Sequence, residues 1–332
     1  MDGLLRGRIF KDALRSSFWQ RQIRLAGRWR RITVKVQQGA GLKWKRHLKL
    51  ELSALAFLAP FLIPLLLFYI WPLLRGVWIS FHSWGILGMQ KYVGLSNYKK
   101  LLTGGDFFHY LWNSFYFVLL IVPIIIALGL LLALLVQRKI PFQTTFRSIY
   151  FLPYVLSVSV ISFIWLRMFD SKNGLLNVIL DTLGLPAVNW LTSPGAAWWS
   201  IVIATVWWTV GFVMVLFLAG LQEISPDLYE AADIDGASAF HKFRYITLPG
   251  LMPVMKIQIF FQIIAGLKLF GQVQIMTNGG PGDATNTIIR YIYVTGFKKD
   301  MFGLAAAQST MFCIFMLLVA AVQYFFLNRK TD

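Results

Sequence analysis

Long apolar stretches alternate with short polar connections along most of this 332-residue chain. A helix needs about 20 apolar residues to cross the hydrocarbon core of a bilayer, and six stretches approach or exceed that length. They are residues 55–74, 115–136, 149–168, 199–221, 251–276 and 304–327. The pattern therefore predicts an all-α polytopic membrane protein with six transmembrane helices.

A basic segment precedes the first apolar stretch. Residues 1–52 contain 14 of the 32 lysines and arginines, which is typical of a cytoplasmic N-terminus. Six spans then place both termini in the cytoplasm. Lysine and arginine are shared almost evenly between the two sides elsewhere, so this orientation rests on the N-terminal segment. We predict a cytoplasmic segment at 1–52 and a transmembrane domain at 53–328.

Composition supports the membrane class. The chain is 57% hydrophobic and 14% charged, against roughly 25% charged residues in soluble domains. The net charge of +18 does not indicate nucleic-acid binding, because so much of it precedes the first span. The basic segment is predicted either to lie on anionic membrane lipid as an amphipathic helix or to be a disordered tail.

Several kinds of chemistry are missing. The single cysteine excludes an intrachain disulfide, and four scattered histidines indicate no metal site. No predicted span contains Asp or Glu, whereas proton-coupled pumps usually need an intramembrane acid. No G-x-x-x-x-G-K-[ST] phosphate loop occurs. If the chain moves a solute uphill, the energy must therefore enter from another subunit.

A short polar loop separates the fourth and fifth predicted spans. Five acids fall within thirteen residues, from Glu223 to Asp235. Ser225 followed by Pro226 predicts the start of a helix, and Gly236 permits the left-handed backbone that ends one. The loop must stand in water, since its polar groups cannot lie in hydrocarbon.

A second short helix is predicted from Ser238 to Leu248, with Pro249 as its end. The two helices are too short and too polar to span the membrane. They suit either docking of a partner, with small alanines allowing close approach and phenylalanines anchoring in a groove, or packing on the lipid headgroups.

Residues 230–253 match a known pattern at eleven positions. The matching residues are Glu230, Ala231, Ala232, Asp235, Gly236, Ala237, Phe243, Ile246, Leu248, Pro249 and Pro253. They resemble the EAA loop of bacterial binding-protein-dependent ABC importer permeases, which reads E-A-A-x-x-D-G-A, then F, then I-x-L-P and P.

The resemblance covers about residues 54–327. Residues 93–98 read V-G-L-S-N-Y and resemble the G-L-x-N-Y segment of sugar permeases. Residues 277–281 read T-N-G-G-P and, with Thr287 and residues 291–293, resemble the F-type half of maltose transporters more than the G-type half. Asn113-Ser114 departs slightly from the Asn-Thr of many relatives.

The resemblance implies a type I ABC importer permease fold in the bacterial plasma (inner) membrane. It also implies that the EAA loop at 222–250 inserts a coupling helix into a cytosolic ATPase dimer, whose closure swings the permease from inward- to outward-facing. A second, G-type permease and an extracytoplasmic solute-binding protein are the other expected partners. No cofactor is expected in this chain, because the ATPase binds ATP and Mg²⁺. The expected coupling residues are Glu230, Ala231, Ala232, Asp235, Gly236, Ala237, Phe240 and Phe243.

Polar side chains on the fifth predicted span form a candidate substrate path. At 100° per residue, Gln258, Gln262, Lys268 and Gln272 fall within an arc of about 120°. Trp207 and Trp208, at the middle of the fourth span, are candidates for stacking on a sugar. Alternatively, the glutamines bond neighbouring helices, Lys268 extends to the interface and the tryptophans pack between helices. Three serines on the third span are weaker candidates: Ser157, Ser159 and Ser162.

The expected function is that of a permease subunit that forms half of the path for a sugar or oligosaccharide and is not itself an enzyme. One alternative is a glycerol phosphate-type solute, which the positive charge of Lys268 keeps open. Another is an ion-coupled secondary transporter, which the absence of intramembrane acids disfavours. The loop at 277–283 is expected outside, either as a docking or gating loop or as a simple turn.

Overall fold

The computed structural model describes residues 54–137 and 142–327, with side chains described as far as residue 325. The basic segment 1–52 and its predicted lipid contact lie outside the described residues. The chain divides into two compact units, residues 1–74 and 75–332.

The first span is the helix α1, Ala54–Ser80, which is longer than the predicted 55–74. Its hydrogen bonding widens to a π-helical turn at Leu66–Ile70, just before Pro72. Large apolar side chains point away from the first unit, such as Phe57, which is 90% exposed. Such a surface suits a bilayer or another apolar helix.

Two long helices form the centre of the second unit. They are α3, Asp106–Gln137, and α7, Pro194–Gln222, and both extend beyond their predicted spans. They approach closely at Gly129, where a Cβ atom would lie 2.4 Å from Cγ1 of Val213. The fully buried side chains of Ile125 and Phe217 belong to the core cluster between these helices.

The predicted third span at 149–168 is bent. The segment forms two helices, α4, Gln143–Val155, and α5, Val158–Met168, which meet at 98°. Pro153 lies in the last turn of α4 and supplies no N–H for helical hydrogen bonding. Ser157 begins α5, its Oγ accepting a hydrogen bond from the backbone N–H of Val160 at 3.4 Å. It is thus a helix cap.

The predicted fifth span at 251–276 is also interrupted. The helix α10, Met252–Leu267, ends at Lys268, and a separate π-helical turn, Val273–Thr277, follows the break. The sixth span is α12, Phe302–Leu327. Among the described residues four helices are long and apolar enough to cross a membrane. The number is six if each of two bent pairs is one span: Gln143–Val155 with Val158–Met168, and Ala239–Gly250 with Met252–Leu267. The predicted all-α polytopic class is confirmed.

Shorter elements connect the spans. They are the antiparallel strands β1, His82–Gly85, and β2, Gly88–Tyr92, and the helices α2, Ser96–Thr103, α6, Leu175–Thr182, and α11, Ile288–Tyr293, which continues as a π-helical turn, Val294–Lys298. The β-hairpin is an addition to the predicted fold. Asn97 fixes it, because its Nδ2 donates to the carbonyl oxygens of Ser80 at 2.8 Å and His82 at 3.1 Å.

Candidate functional site

The loop between α7 and α10 begins as predicted. The helix α8, Pro226–Ile234, has Pro226 in its first turn. The side-chain oxygen of Ser225 accepts a hydrogen bond from the backbone N–H of Asp227 at 3.3 Å. Asp227 also lies near the positive end of the helix dipole, which favours a negative charge there. The predicted helix start is confirmed.

Gly236 ends α8 in the left-handed conformation, with φ of +72°. The backbone N–H of Ala237 reaches back to the carbonyl of Ala232 at 2.9 Å, which satisfies a carbonyl that the helix end would leave unpaired. No heavy atom lies within 4 Å of a Cβ built at Gly236. Glycine is therefore required here by backbone conformation and not by space.

The second short helix is α9, Ala239–Gly250, which includes a π-helical turn at Phe243–Thr247. The prediction that Pro249 ends it is wrong. Pro249 lies in the first turn of a last α-helical stretch, Leu248–Gly250. The chain bends by 63° between Gly250 and α10.

Two side-chain contacts join α8 to α9. Nζ of Lys242 lies 2.6 Å from Oδ1 of Asp233, and the hydroxyl groups of Tyr229 and Thr247 are 2.9 Å apart. The ion pair is exposed on its acidic side, so its contribution is only about 0–1 kcal/mol. Together the contacts hold the two helices as a compact pair.

The predicted coupling residues lie on this helix pair. Glu230, Ala231, Asp235, Gly236 and Phe240 are exposed, and three others, Ala232, Ala237 and Phe243, are half-buried. Phe240 stands free, with 70% of its surface exposed. A depression of about 420 Å³ lies between α8 and α9, with Ala232, Ala237 and His241 in its lining. The pair thus presents an uncovered ring beside a shallow concave surface.

A second concave region lies where α10 breaks. This cavity, of about 630 Å³, is called the break cavity below. Its lining comprises Phe117, Ile121, Tyr154, Val158, Thr205, Trp208, Thr209, Phe212, Phe261, Gln262, Ile264, Ala265, Gly266, Lys268, Leu269, Phe270, Gly271 and Gln272.

Aromatic rings form one wall of the break cavity. The rings of Tyr154 and Phe212 stack with centroids 4.6 Å apart and an interplanar angle of 11°. Nε1 of Trp208 donates to the carbonyl of Leu156 at 3.1 Å. That hydrogen bond fixes the indole and satisfies a carbonyl left unpaired at the break between α4 and α5.

The predicted substrate-path residues separate into two groups. Gln262, Lys268, Gln272 and Trp208 line the break cavity. Gln258 does not, because it is buried against α7, where its Nε2 donates to the carbonyl of Val213 at 3.2 Å.

Trp207 also lies outside the cavity lining. Its ring packs edge-on against Trp165 at 5.9 Å. Neighbouring helical residues are about 100° apart, which places Trp207 and Trp208 on different faces of α7.

The sequence matches a family profile described as "Binding-protein-dependent transport system inner membrane component" over residues 125–332. The chain belongs to this family. It is therefore an inner-membrane transport component, a permease, and the matched region includes the loop and all of the break-cavity lining except Phe117 and Ile121.

Similar proteins have related descriptions. The trehalose/maltose transport system permease protein MalF of Thermococcus litoralis is 36% identical over 259 residues, which cover 78% of this chain and 88% of the relative. The arabinooligosaccharides transport system permease protein AraP of Bacillus subtilis is 34% identical over 270 residues, covering 80% and 85%.

A solved structure has the same fold. It is a crystal structure of a bacterial ABC transporter involved in the import of the acidic polysaccharide alginate, with a TM-score of 0.78, and the match covers 87% of this chain and 100% of that one. The sequence identity is 22%, so this likeness concerns the fold alone.

The residues that line the break cavity of the permease and were not predicted from the sequence include Tyr154, Thr205, Thr209 and Phe212. A signal existed for three of them. Thr205, Trp208, Thr209 and Phe212 follow the i, i+3, i+4, i+7 spacing of one helix face. Tyr154 had no such signal, since it joins the cavity only because α4 bends away from α5.

The loop at 277–283 of the permease is more than a simple turn. Arg290, which is 7% exposed, donates from Nη2 to Oδ1 of Asn278 at 2.8 Å and from Nη1 to Oδ1 of Asn286 at 3.0 Å. Burial lowers the pKa of this guanidinium, while the nearby Asp283 raises it. The arginine ties both ends of the loop to α11.

Asn113 and Ser114 of α3 anchor the same loop. Nδ2 of Asn113 donates to the carbonyl of Asn286 at 3.0 Å, and Oγ of Ser114 accepts from the backbone N–H of Ile288 at 3.0 Å. The serine therefore supplies a hydroxyl acceptor at this position, as a threonine would.

Proposed function

We propose that this permease forms half of the transmembrane path of an ATP-driven importer for a sugar or oligosaccharide. The observation that carries the proposal is the break cavity, in which an aromatic wall faces a polar edge. The relatives named for trehalose and maltose and for arabinooligosaccharides support the same solute class.

The shape and chemistry of the break cavity suit a carbohydrate. Its volume of about 630 Å³ lies within the roughly 300–1,000 Å³ of small-molecule sites. The C–H face of a pyranose packs on an aromatic ring such as that of Trp208, which buries apolar surface. Hydroxyl groups need both donors and acceptors, and the amides of Gln262 and Gln272 supply both.

Energy enters this importer through the helix pair α8 and α9. In the proposal, Glu230, Asp235 and the exposed ring of Phe240 contact a cosubunit, and Gly236 sets the angle between the two helices. The cosubunit is a cytosolic ATPase dimer that binds ATP and Mg²⁺, so this chain needs no cofactor and catalyses no hydrolysis.

The complete importer would add a second, G-type permease and an extracytoplasmic solute-binding protein. A structural neighbour was crystallised in complex with an alginate pentasaccharide-bound periplasmic protein, which supports a partner of this kind. Both termini and the helix pair would then face the cytoplasm, with the loop at 277–283 on the opposite side.

Two adjacent tryptophans test the path. The assembled importer is reconstituted in liposomes with its binding protein, and uptake of radiolabelled maltose, trehalose and arabinotriose is measured. Trp208→Ala should raise the KM of a transported sugar or lower its maximal uptake by up to about tenfold, because losing an aromatic ring that stacks on the solute costs about 0.5–1.5 kcal/mol. Trp207→Ala is the matched control and should change uptake little.

Equal effects of the two substitutions would contradict the assignment of the break cavity as the path. Uptake that continues without the ATPase and follows an ion gradient would contradict the importer proposal itself and favour a secondary transporter.

A further inference from the structure

The lining of the break cavity carries a positive charge and no negative charge. Of the residues in its lining, Lys268 carries a positive charge, and the others include no Asp, Glu, His or Arg. Among residues 54–137 and 142–327, no carboxylate lies within ion-pair distance of the Lys268 ammonium group. Its charge is therefore left without a counter-charge from the described part of the chain.

Lys268 also belongs to the predicted fifth span, residues 251–276. It follows directly on α10, whose 16 residues rise by about 24 Å at 1.5 Å per residue, within the roughly 30 Å of a hydrocarbon core. An ionisable group at such depth is costly, and it usually faces a cavity and serves a substrate or an ion. The location and the missing counter-charge point to a charged ligand.

The surroundings of Lys268 limit what that ligand can be. Amides at Gln262 and Gln272 and hydroxyls at Thr205 and Thr209 suit several hydroxyl groups. The hydroxyls of the two threonines already donate to the carbonyls of Ile201 and Thr205, at 2.7 Å each, so they act toward a ligand as acceptors. The Thr205 hydroxyl also accepts from Nε2 of Gln272 at 3.4 Å. A small inorganic anion would leave these groups and the aromatic wall unused.

We propose that the break cavity takes an anionic carbohydrate, with the acidic group of the sugar paired to Lys268 and its ring on the aromatic wall. The inference rests on the proposed function and specifies the solute class within it. Lys268 is then a specificity residue, because it favours a carboxylate-, sulfonate- or phosphate-bearing sugar over its neutral counterpart.

Ligand binding to the assembled importer in nanodiscs, without the binding protein, tests this directly. Saturation-transfer NMR titrations would compare glucose with glucuronate, which differ only at C6, and would add glucose 6-phosphate and glycerol 3-phosphate. The wild-type complex should bind glucuronate or glucose 6-phosphate at least about tenfold more tightly than glucose, since a charge-assisted hydrogen bond adds about 1.5–3 kcal/mol.

Substitutions then separate specificity from structure. Lys268→Gln should weaken the binding of the anionic sugars by about tenfold or more and so abolish their preference over glucose, and Lys268→Arg should retain most of the preference. Lys299→Gln, at an exposed lysine outside the cavity lining, is the control and should retain the wild-type preference. Thermal unfolding of each complex shows whether it is intact.

Each result has a defined meaning. Equal binding of glucose and glucuronate by the wild type, or a preference that survives Lys268→Gln, would overturn the charge inference and leave the proposed function intact. Binding of glycerol 3-phosphate without any sugar would overturn the carbohydrate class. Loss of complex stability in Lys268→Gln with an unchanged preference would show that Lys268 pairs with a partner subunit instead. If none of the sugars binds and the importer takes up none of them, the proposed function itself fails.

Discussion

Some positions in this permease accept only glycine, because the backbone conformation or a close contact excludes a side chain. Gly279 has φ of +82°, and a Cβ there would lie 2.4 Å from Nη1 of Arg290. That arginine is itself held by Asn278 and Asn286, so it cannot move aside without losing hydrogen bonds. Conformation and contact therefore both require glycine at this position.

Gly279→Ala should destabilise the permease by about 2–3 kcal/mol, because it adds a steric conflict to left-handed strain. Gly282 offers a matched control: its φ is also positive, +54°, but no heavy atom lies within 4 Å of its Cβ position. Gly282→Ala should cost only about 1 kcal/mol. Thermal unfolding of the purified variants in detergent measures both effects. Equal losses of stability would mean that the Arg290 side chain moves aside at no cost.

Helices could be predicted from the sequence where a single unbroken helix matches a single stretch of apolar residues or a clear start signal. The spans of α3, α7 and α12 follow from apolar length, and the start of α8 follows from Ser225 and Pro226. Pro153 was a signal for the break in the third span, but the break in the fifth span was not predictable, because an apolar stretch looks the same whether it is straight or bent. Just beyond the break in α10, Gly271 lies against Val158, where a Cβ would be 2.8 Å from Cγ2, and the apolar pattern does not reveal such a tertiary contact.

The candidate site also has a part that could be predicted from the sequence and a part that could not. Residues of the EAA loop are contiguous in sequence, so their helix pair could be predicted apart from the role of Pro249. The break cavity combines residues of α4, α7 and α10, and only the polar ones on a single span gave a signal. Gln258 shares that span, yet it bonds α7, because period alone does not distinguish a cavity face from a helix contact.

The helix pair gives a prediction about coupling. Gly236→Ala introduces strain at φ of +72°, in open space, and should change the angle between α8 and α9. We expect it to reduce co-purification of the ATPase and sugar uptake by about fivefold or more. Gly184→Ala, at φ of +69° in equally open space within another loop, imposes the same local strain and should leave both unchanged.

A substitution without backbone strain extends this test. Glu230→Gln removes an exposed charge from α8 and should not alter the unfolding temperature, since exposed surface changes are usually within about 0.5 kcal/mol. Reduced ATPase capture by this variant would support a docking contact. Retained assembly and transport in both Gly236→Ala and Glu230→Gln would contradict the coupling role of the loop.

At the scale of the whole molecule, the orientation of the spans decides which surfaces can meet which partners. The prediction places the EAA loop and the termini in the cytoplasm and the loop after the third span outside. It depends on the basic segment 1–52, because the other loops carry no clear excess of positive charge. In the proposed importer, a solute would leave the break cavity toward the cytoplasm only if this orientation holds.

Cysteine labelling in right-side-out membrane vesicles tests the orientation. The one native cysteine, Cys313, is first replaced by alanine. Asp181→Cys and Glu223→Cys then place single thiols at two exposed acidic positions, so each variant has the same change in charge. A membrane-impermeant maleimide should label Asp181→Cys in sealed vesicles and Glu223→Cys only after the vesicles are opened. The reverse pattern would place the EAA loop outside, where no cytosolic ATPase can reach it, and would remove the basis for energy entry through α8 and α9. Labelling of both thiols in sealed vesicles would mean that α7 does not cross the membrane, because α7, Pro194–Gln222, is the long helix between residues 181 and 223.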